Sequence, residues 1–230
     1  MIPESIEKIR ERIDRACLRS GRKGTDVTLL AVAKTFPAER IAEVVSCGVQ
    51  DIGENYVQEL LSKREALPDT GIRWHFIGHL QSNKVKYIAG WIHLIHAVDS
   101  TRLAEEINRK AEHAGRTIDV MIEVNSTGED SKYGIPPDGA EALVTSLAGF
   151  EHIRVVGLMT MGLFLPDPET SRPLYRSMAR LRTQLGRLNQ KNAEMTQLSM
   201  GMTGDFEVAI EEGATIVRIG TALFGKRKPG

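Results

Sequence analysis

The chain has 230 residues, of which 41% are hydrophobic and 26% charged, the composition of an ordinary globular protein able to bury a sizeable core. Lys plus Arg and Asp plus Glu each number 30, so the formal charge is zero, which argues against a simple basic nucleic-acid footprint. The two cysteines, Cys17 and Cys47, lack metal-type spacing, so neither a disulfide framework nor a zinc site is expected and a reducing, cytoplasmic setting fits.

The N-terminus, Met1-Ile2-Pro3-Glu4-Ser5, has no basic start followed by an apolar core, and no secretion signal is expected. No apolar stretch approaches membrane-spanning length. Segment 3–20 reads as a helix, because Ile6, Ile9, Ile13 and Cys17 recur on one face. A strand is predicted over 27–33, where Thr28-Leu29-Leu30-Ala31-Val32-Ala33 carries no charge and reads as buried on both faces. Lys34 follows at once. A lysine there either snorkels to water or sits in a cleft with a lowered pKa. In the cleft it becomes an amine nucleophile that condenses with aldehydes.

Further strands are predicted over 50–52, 73–76, 92–97, 118–124, 153–158, 195–198 and 215–219. Helical stretches are predicted over 38–47, 56–66, 101–114, 137–148, 172–191 and 206–212, the first beginning just after Pro37. In 172–191, Leu174, Met178, Leu181, Leu185 and Leu188 form one apolar stripe, and the arginines form a solvated face. Strict alternation of strand and helix predicts a parallel sheet with helices outside. Eight units without a dividing linker predict the α/β class, as one domain over 1–230: a (β/α)8 TIM barrel with an N-terminal helix. The alternative is an open doubly wound sheet, but no G-x-G-x-x-G follows the first strand.

Barrel chemistry lies at the carboxyl ends of the strands. In this chain those ends run into Lys34, Gly53-Glu54-Asn55-Tyr56, Gly78-His79-Leu80-Gln81, Asp99-Ser100, Asn125-Ser126, Met159-Thr160, Ser199-Met200-Gly201 and Arg218-Ile219-Gly220-Thr221. The last two resemble an anion cradle. Ser199 and Thr221 offer hydroxyls, Gly201 and Gly220 let backbone approach an oxyanion, and Arg218 is a permanent cation. For either loop alone, tight turns and helix caps explain these residues. Two such loops on adjacent strand ends beside a cleft lysine favour a ligand site, and an amine plus a phosphate seat suggests pyridoxal 5′-phosphate.

Ala33-Lys34-Thr35, Gly53-Glu54-Asn55-Tyr56, the run from Trp74 to Lys84, Gly157-Leu158-Met159-Thr160-Met161, Leu198-Ser199-Met200-Gly201-Met202 and Val217-Arg218-Ile219-Gly220-Thr221 resemble the pyridoxal phosphate homeostasis protein family over almost the whole chain. The resemblance implies a barrel similar to the N-terminal domain of alanine racemase. It implies pyridoxal phosphate held as an internal aldimine, a role in vitamin B6 supply, and no assigned enzyme activity. It makes Lys34 the aldimine lysine, has Ser199, Gly220 and Thr221 hold the phosphate with Gly201 lending backbone, and sets Arg218 against the pyridine nitrogen. Asn55 and Met159 would line the other sides of the ring. Arg218 donates and keeps its proton, so the ring nitrogen facing it stays unprotonated and is a poor electron sink.

His79 is a candidate proton shuttle or a surface histidine, and His75 is expected to be structural. Tyr56 is either a stacking or a packing residue. Glu54 and Asp205 read as isolated carboxylates, with Asp205 a helix cap. Cys47 reads as a small hydrophobe at a helix end, and Lys226-Arg227-Lys228-Pro229-Gly230 as a frayed tail. A carrier that donates the cofactor to apo-enzymes is weighed against a pyridoxal phosphate racemase. The carrier is favoured by Arg218 and by the end of the chain at Gly230, short of the domain on which racemases carry their second acid/base. The missing domain predicts a monomer, and charge balance, hydropathy and cysteine spacing predict no nucleic-acid, membrane or metal partner.

Overall fold

The computed structural model describes residues 1–68, 71–129, 132–162 and 166–225, so the tail from Lys226 to Gly230 lies outside the described residues. Eight parallel strands close into a barrel in sequence order. They are β1 (Thr28–Val32), β2 (Asp51–Glu54), β3 (Arg73–Phe76), β4 (Leu94–Val98), β5 (Ile118–Glu123), β6 (Ile153–Met159), β7 (Ala193–Met202) and β8 (Ile216–Ile219). Closure is made by β1 against β8, with Thr28 opposite Ile216 and Ala31 opposite Ile219. The helices are α1 (Ile2–Arg19), α2 (Ala38–Ser46), α3 (Val57–Ala66), α4 (Thr101–His113), α5 (Ala140–Ser146), α6 (Arg172–Gly186), α7 (Phe206–Glu211) and α8 (Thr221–Phe224). The connection from β3 to β4 is a 3-10 turn over Ser82–Tyr87 rather than an α-helix. No helix among the described residues is long and apolar enough to cross a membrane.

Side chains on a strand alternate between two faces. In this barrel the outward set packs against the helices and forms the main core, including Ala31, Ile52, Phe76, Ile95, Ile122, Leu158, Leu198 and Val217. The inward set forms a smaller apolar cluster of Leu30, Leu94, Ala97, Met121, Val156, Met159 and Ile216. Stepping two residues along a strand from that cluster leads to the mouth: Leu30 to Val32 and Lys34, Met121 to Glu123, Ile216 to Arg218 and Gly220. Strand parity therefore decides which charged residues enter the barrel.

Helix α1 presents Ile2, Ile6, Ile9, Ile13, Ala16 and Cys17 as one buried stripe and packs on α7 and α8, beside the β8–β1 closure. Each such isoleucine stabilises the fold by roughly 1.5–3 kcal/mol through burial. Arg22, just after α1, fastens the contact by donating to the carbonyls of Ile210 and Ala214 at 3.0 and 2.8 Å.

Predicted elements shift at their ends, and three of these shifts bear on the core and the mouth. The stretch 172–191 ends as a helix at Gly186, and Leu188 lies beyond it at 38% exposure; Tyr175, Met178 and Leu185 are its deeply buried positions. Strand β7 runs from Ala193 to Met202 instead of 195–198, because its pairing continues past Leu198 to Ser199 and Met202. Strand β2 extends to Glu54 rather than stopping at 52, with Glu54 paired to Phe76.

Candidate functional site

The mouth of the barrel holds a cavity of about 960 Å³, within the range of small-molecule and cofactor sites. Lys34, Asn55, Arg218, Gly220 and Thr221 line it together with Glu123 and Thr203. Residues from β1, β2, β5, β7 and β8 thus meet in one space, although they are separated by up to 187 positions (Lys34 to Thr221) in the chain.

Lys34 is presented by a strained turn. Thr35 has a φ of 68°, a left-handed value that is unusual for a β-branched residue. Its N–H donates to Glu59 Oε2 at 2.9 Å, and the Phe36 N–H returns to the Ala33 carbonyl at 3.0 Å. Phe36 stacks on Phe224 with ring centroids 4.7 Å apart, which ties the turn to α8. Asn55 is held from the other side by Gly78, where any Cβ would meet the Asn55 backbone. Asn55 Oδ1 and Glu123 Oε2 are buried without a hydrogen-bond partner among the described residues. Groups of that kind are costly unless a ligand satisfies them.

Arg218 is 3% exposed. It donates to the Ser199 carbonyl and to Ser199 Oγ, each at 2.8 Å, and to the Thr160 carbonyl at 2.7 Å. Burial lowers its pKa, opposed by Tyr175, Glu123 and Asp205, but guanidinium stays charged at any ordinary pH. Burial likewise pushes the Glu123 carboxyl up to about 7; nearby Asp99 adds to the shift and Arg218 opposes it. The wall therefore carries a buried guanidinium and, in Glu123, a buried carboxyl raised to about 7.

Ser199, Met159 and Gly201 do not line this cavity among the described residues. Ser199 is fully buried and its Oγ is taken up by Arg218 and by His96 Nδ1, 3.0 Å away, so it stands behind the wall and not on it. Met159 belongs to the apolar cluster inside the barrel. Gly201, at a φ of +88°, packs where a Cβ would come within 2.5 Å of Ala209 Cβ and 2.9 Å of Phe206 Cα. It brings β7 against α7. Thr203 occupies the cavity wall instead, and its Oγ1 accepts from the Ala222 N–H at 3.4 Å.

His79 and Tyr56 line the cavity; His79 stacks on Tyr133 at 4.2 Å, and Tyr56 is 58% exposed. Glu54 is not isolated: Lys63 Nζ lies 2.6 Å from its Oε1, and burial still pushes its pKa to about 6. Asp205 sits at the start of α7 but makes no side-chain cap. Its carboxylate accepts from the Tyr175 hydroxyl at 2.6 Å and the Met202 N–H at 2.8 Å. His75 is buried within β3, as expected. Cys47 closes α2, and both cysteines are free.

The alanine racemase N-terminal domain model matches residues 5–228. A pyridoxal phosphate homeostasis protein of Aquifex aeolicus is 48% identical over 98% of this chain and 98% of its own length. The chain belongs to the pyridoxal phosphate homeostasis protein family. Among solved structures, that of PipY from Synechococcus elongatus, with pyridoxal phosphate bound, superposes with a TM-score of 0.82 at 32% identity, covering 98% of this chain and 100% of that one. An alanine racemase of Clostridium difficile matches with a TM-score of 0.71 at 16% identity, covering 95% of this chain and 56% of its own, a likeness of fold. The expected barrel architecture and family resemblance are both borne out.

Glu123, Thr203, His96 and Lys63 were not singled out by sequence reasoning. Strand parity gives a signal for Glu123, which sits two residues beyond the inward Met121 in an otherwise apolar strand. Nothing local in the chain marks the bond of Lys63 to the Ala33 carbonyl or of His96 to Ser199, which span 30 and 103 positions.

Proposed function

We propose that this chain holds pyridoxal 5′-phosphate on Lys34 and serves intracellular vitamin B6 balance as a carrier, without racemase activity. The observation that carries this reading is the meeting of Lys34 with Gly220, Thr221 and Arg218 on one cavity. When bound, the cofactor supplies an aldehyde that condenses with a primary amine. Lys34 provides that amine from the strained turn after β1. Thr203, Gly220 and Thr221 form the seat for the phosphate, at a helix start where backbone N–H groups lack intrahelical acceptors. Arg218 faces the ring nitrogen as a donor. Asn55 Oδ1, buried and unpaired, offers an acceptor at the ring's edge, and Met159 forms the apolar floor one layer below. Ser199 and Gly201 support this wall from behind.

The names of the curated relatives and the cofactor in the PipY structure support the reading. Free thiols fit a cytoplasmic setting, in which the chain acts as a monomer that meets apo-enzymes transiently. The deciding experiment is borohydride reduction of protein mixed with pyridoxal phosphate, followed by peptide mapping. Label is expected on Lys34. Lys84 also lines the cavity, and label there instead of on Lys34 refutes the assignment.

A further inference from the structure

A line of polar side chains crosses the barrel interior beneath the cavity. Arg218 donates to Ser199 Oγ at 2.8 Å. Ser199 Oγ lies 3.0 Å from His96 Nδ1, and His96 Nε2 lies 2.9 Å from His75 Nδ1. His75 Nε2 lies 3.0 Å from Asp51 Oδ1. Asp51 is gripped in turn by Arg73, whose Nε and NH2 donate to its two oxygens at 2.8 and 2.5 Å. Ser199, His96, His75 and Asp51 are 0, 0, 2 and 7% exposed, so water does not substitute for these contacts.

Each end of the line has a single role. Arg218 donates and never accepts; the Asp51 carboxylate accepts and never donates. Burial favours a protonated Asp51, but the hydrogen bonds from His75 and Arg73 outweigh it and hold the carboxyl at about 2. Three proton arrangements then satisfy every contact. In one, both imidazoles are neutral with hydrogen on Nε2: Ser199 donates to His96, His96 to His75, and His75 to Asp51. In the second, His75 is an imidazolium and His96 carries its hydrogen on Nδ1, donating to Ser199. In the third, His75 is neutral and His96 is the imidazolium, donating to both His75 and Ser199. A second buried cation within the barrel is costly. Burial lowers the pKa of both histidines, His96 most strongly with the charges of His75 and Arg218 adding to it, and the neutral arrangement wins.

We propose that Ser199, His96, His75 and Asp51 form a one-directional hydrogen-bond chain that holds the Arg218 guanidinium in the cavity wall, with Ser199 its positioning residue and not a phosphate ligand. The barrel interior thereby carries orientation from the Arg73 end to the mouth without moving a charge. The spectroscopic arm of the test is independent of the cofactor; the binding arm rests on the pyridoxal phosphate reading given above.

The first measurement is nitrogen-15 NMR of histidine-labelled, cofactor-free protein. His75 and His96 are expected to show a protonated Nε2 and a bare Nδ1 from about pH 5.5 to about pH 8. An imidazolium at His75, or hydrogen on His96 Nδ1, overturns the one-directional chain. The second compares Ser199→Ala and Ser199→Thr for binding of pyridoxal phosphate and of pyridoxal, which lacks the phosphate. Loss of a hydrogen bond to a charged group predicts about tenfold weaker binding of both aldehydes by Ser199→Ala, with Ser199→Thr recovering it. Selective loss of the phosphorylated aldehyde makes Ser199 a phosphate ligand and overturns the positioning role. If the unmutated protein binds neither aldehyde, the pyridoxal phosphate reading falls, and the histidine tautomers decide the chain by themselves. They also decide it if Ser199→Ala fails to fold.

Discussion

Lys63 Nζ donates to the carbonyl oxygen of Ala33 at 2.9 Å, one residue before the lysine that faces the cavity. The same ammonium reaches Glu54 Oε1 at 2.6 Å and Glu59 Oε2 at 3.0 Å, and Glu59 accepts the Thr35 N–H. A buried cation on α3 thus straps both sides of the turn that presents Lys34. It holds Thr35 at a positive φ that the residue alone would leave.

Lys63→Met therefore leaves Glu54 buried without a partner. Breaking a buried pair from one side costs about 3–5 kcal/mol. The cost depends on pH with a definite sign. Burial already raises the Glu54 carboxyl to about 6, and loss of Lys63 raises it further. At acid pH the carboxyl is protonated and the loss is smaller; above neutrality the charge must be carried and the loss is full. Urea denaturation of the variant at about pH 5 and about pH 8 checks this, with the larger deficit expected at the higher pH. Adding Glu54→Gln is expected to recover most of it. An equal deficit at both values would mean that the ammonium contributes only by packing.

Glu123 gives a second pH-dependent signature. Its carboxyl rises from an ordinary value to about 7 through burial, then Asp99, so the folded state binds a proton more tightly than the unfolded chain. Its contribution is neutral below the unfolded value and becomes destabilising as pH rises toward 7. The shift corresponds to roughly 3–4 kcal/mol. Glu123→Gln in the cofactor-free protein is expected to match the parent at about pH 4.5 and to exceed it by that amount at about pH 8. Thermal melts across this interval test it, and parallel stability curves would place Glu123 in a wetter setting than its 6% exposure indicates.

What the chain discloses of its own fold follows one physical rule. An uncharged run ended by a charge at the right parity marks a strand that delivers that charge to the mouth, and Lys34 is readable for this reason. Arg218 is readable because it interrupts Ile216-Val217 and Ile219 in a strand buried throughout. Asn55 follows from the same alternation, two steps beyond Gly53. Ser199 shows where the rule stops. Its place after an apolar strand resembles a mouth position, yet β7 continues to Met202, and the residue that reaches the cavity is Thr203. Pairings such as His75 with His96, or Lys63 with Ala33, depend on how neighbouring strands and helices are registered, which no local pattern encodes. The end of α6 at Gly186 was hidden because Leu188 continues the helical spacing without having anything to bury against.

Gly201 offers a test of the β7–α7 junction apart from any ligand. At a φ of +88°, with Ala209 Cβ and Phe206 Cα 2.5 and 2.9 Å from where a Cβ would lie, alanine is opposed by both backbone strain and overlap. The left-handed conformation alone costs about 1 kcal/mol and overpacking adds about 1–3 kcal/mol. Gly201→Ala is expected to lower the melting temperature by several degrees, whereas Gly204→Ala, with open space around its Cβ position, is expected to leave it almost unchanged. Similar melting temperatures for the two variants would contradict this account of the junction.

If Arg218 faces the ring nitrogen as proposed, it sets the expected boundary between carrier and enzyme. Racemisation requires the ring to accept an electron pair, which a protonated ring nitrogen favours. Arg218 has no acceptor to offer a protonated nitrogen, and its place is fixed by Ser199 Oγ together with the Ser199 and Thr160 carbonyls, so it does not swing aside. A carboxylate is the group that would stabilise a protonated ring, but of the two in the wall Glu123 is itself held toward its neutral form, and Asp205 is engaged by the Tyr175 hydroxyl and the Met202 N–H. Loaded protein incubated with L-alanine and, separately, D-alanine is expected to yield no enantiomer above the rate of free pyridoxal phosphate in buffer, read by chiral chromatography. Interconversion well above that rate, abolished by Lys34→Ala, would show that the donor at the ring nitrogen does not prevent racemisation and that the chain is an enzyme.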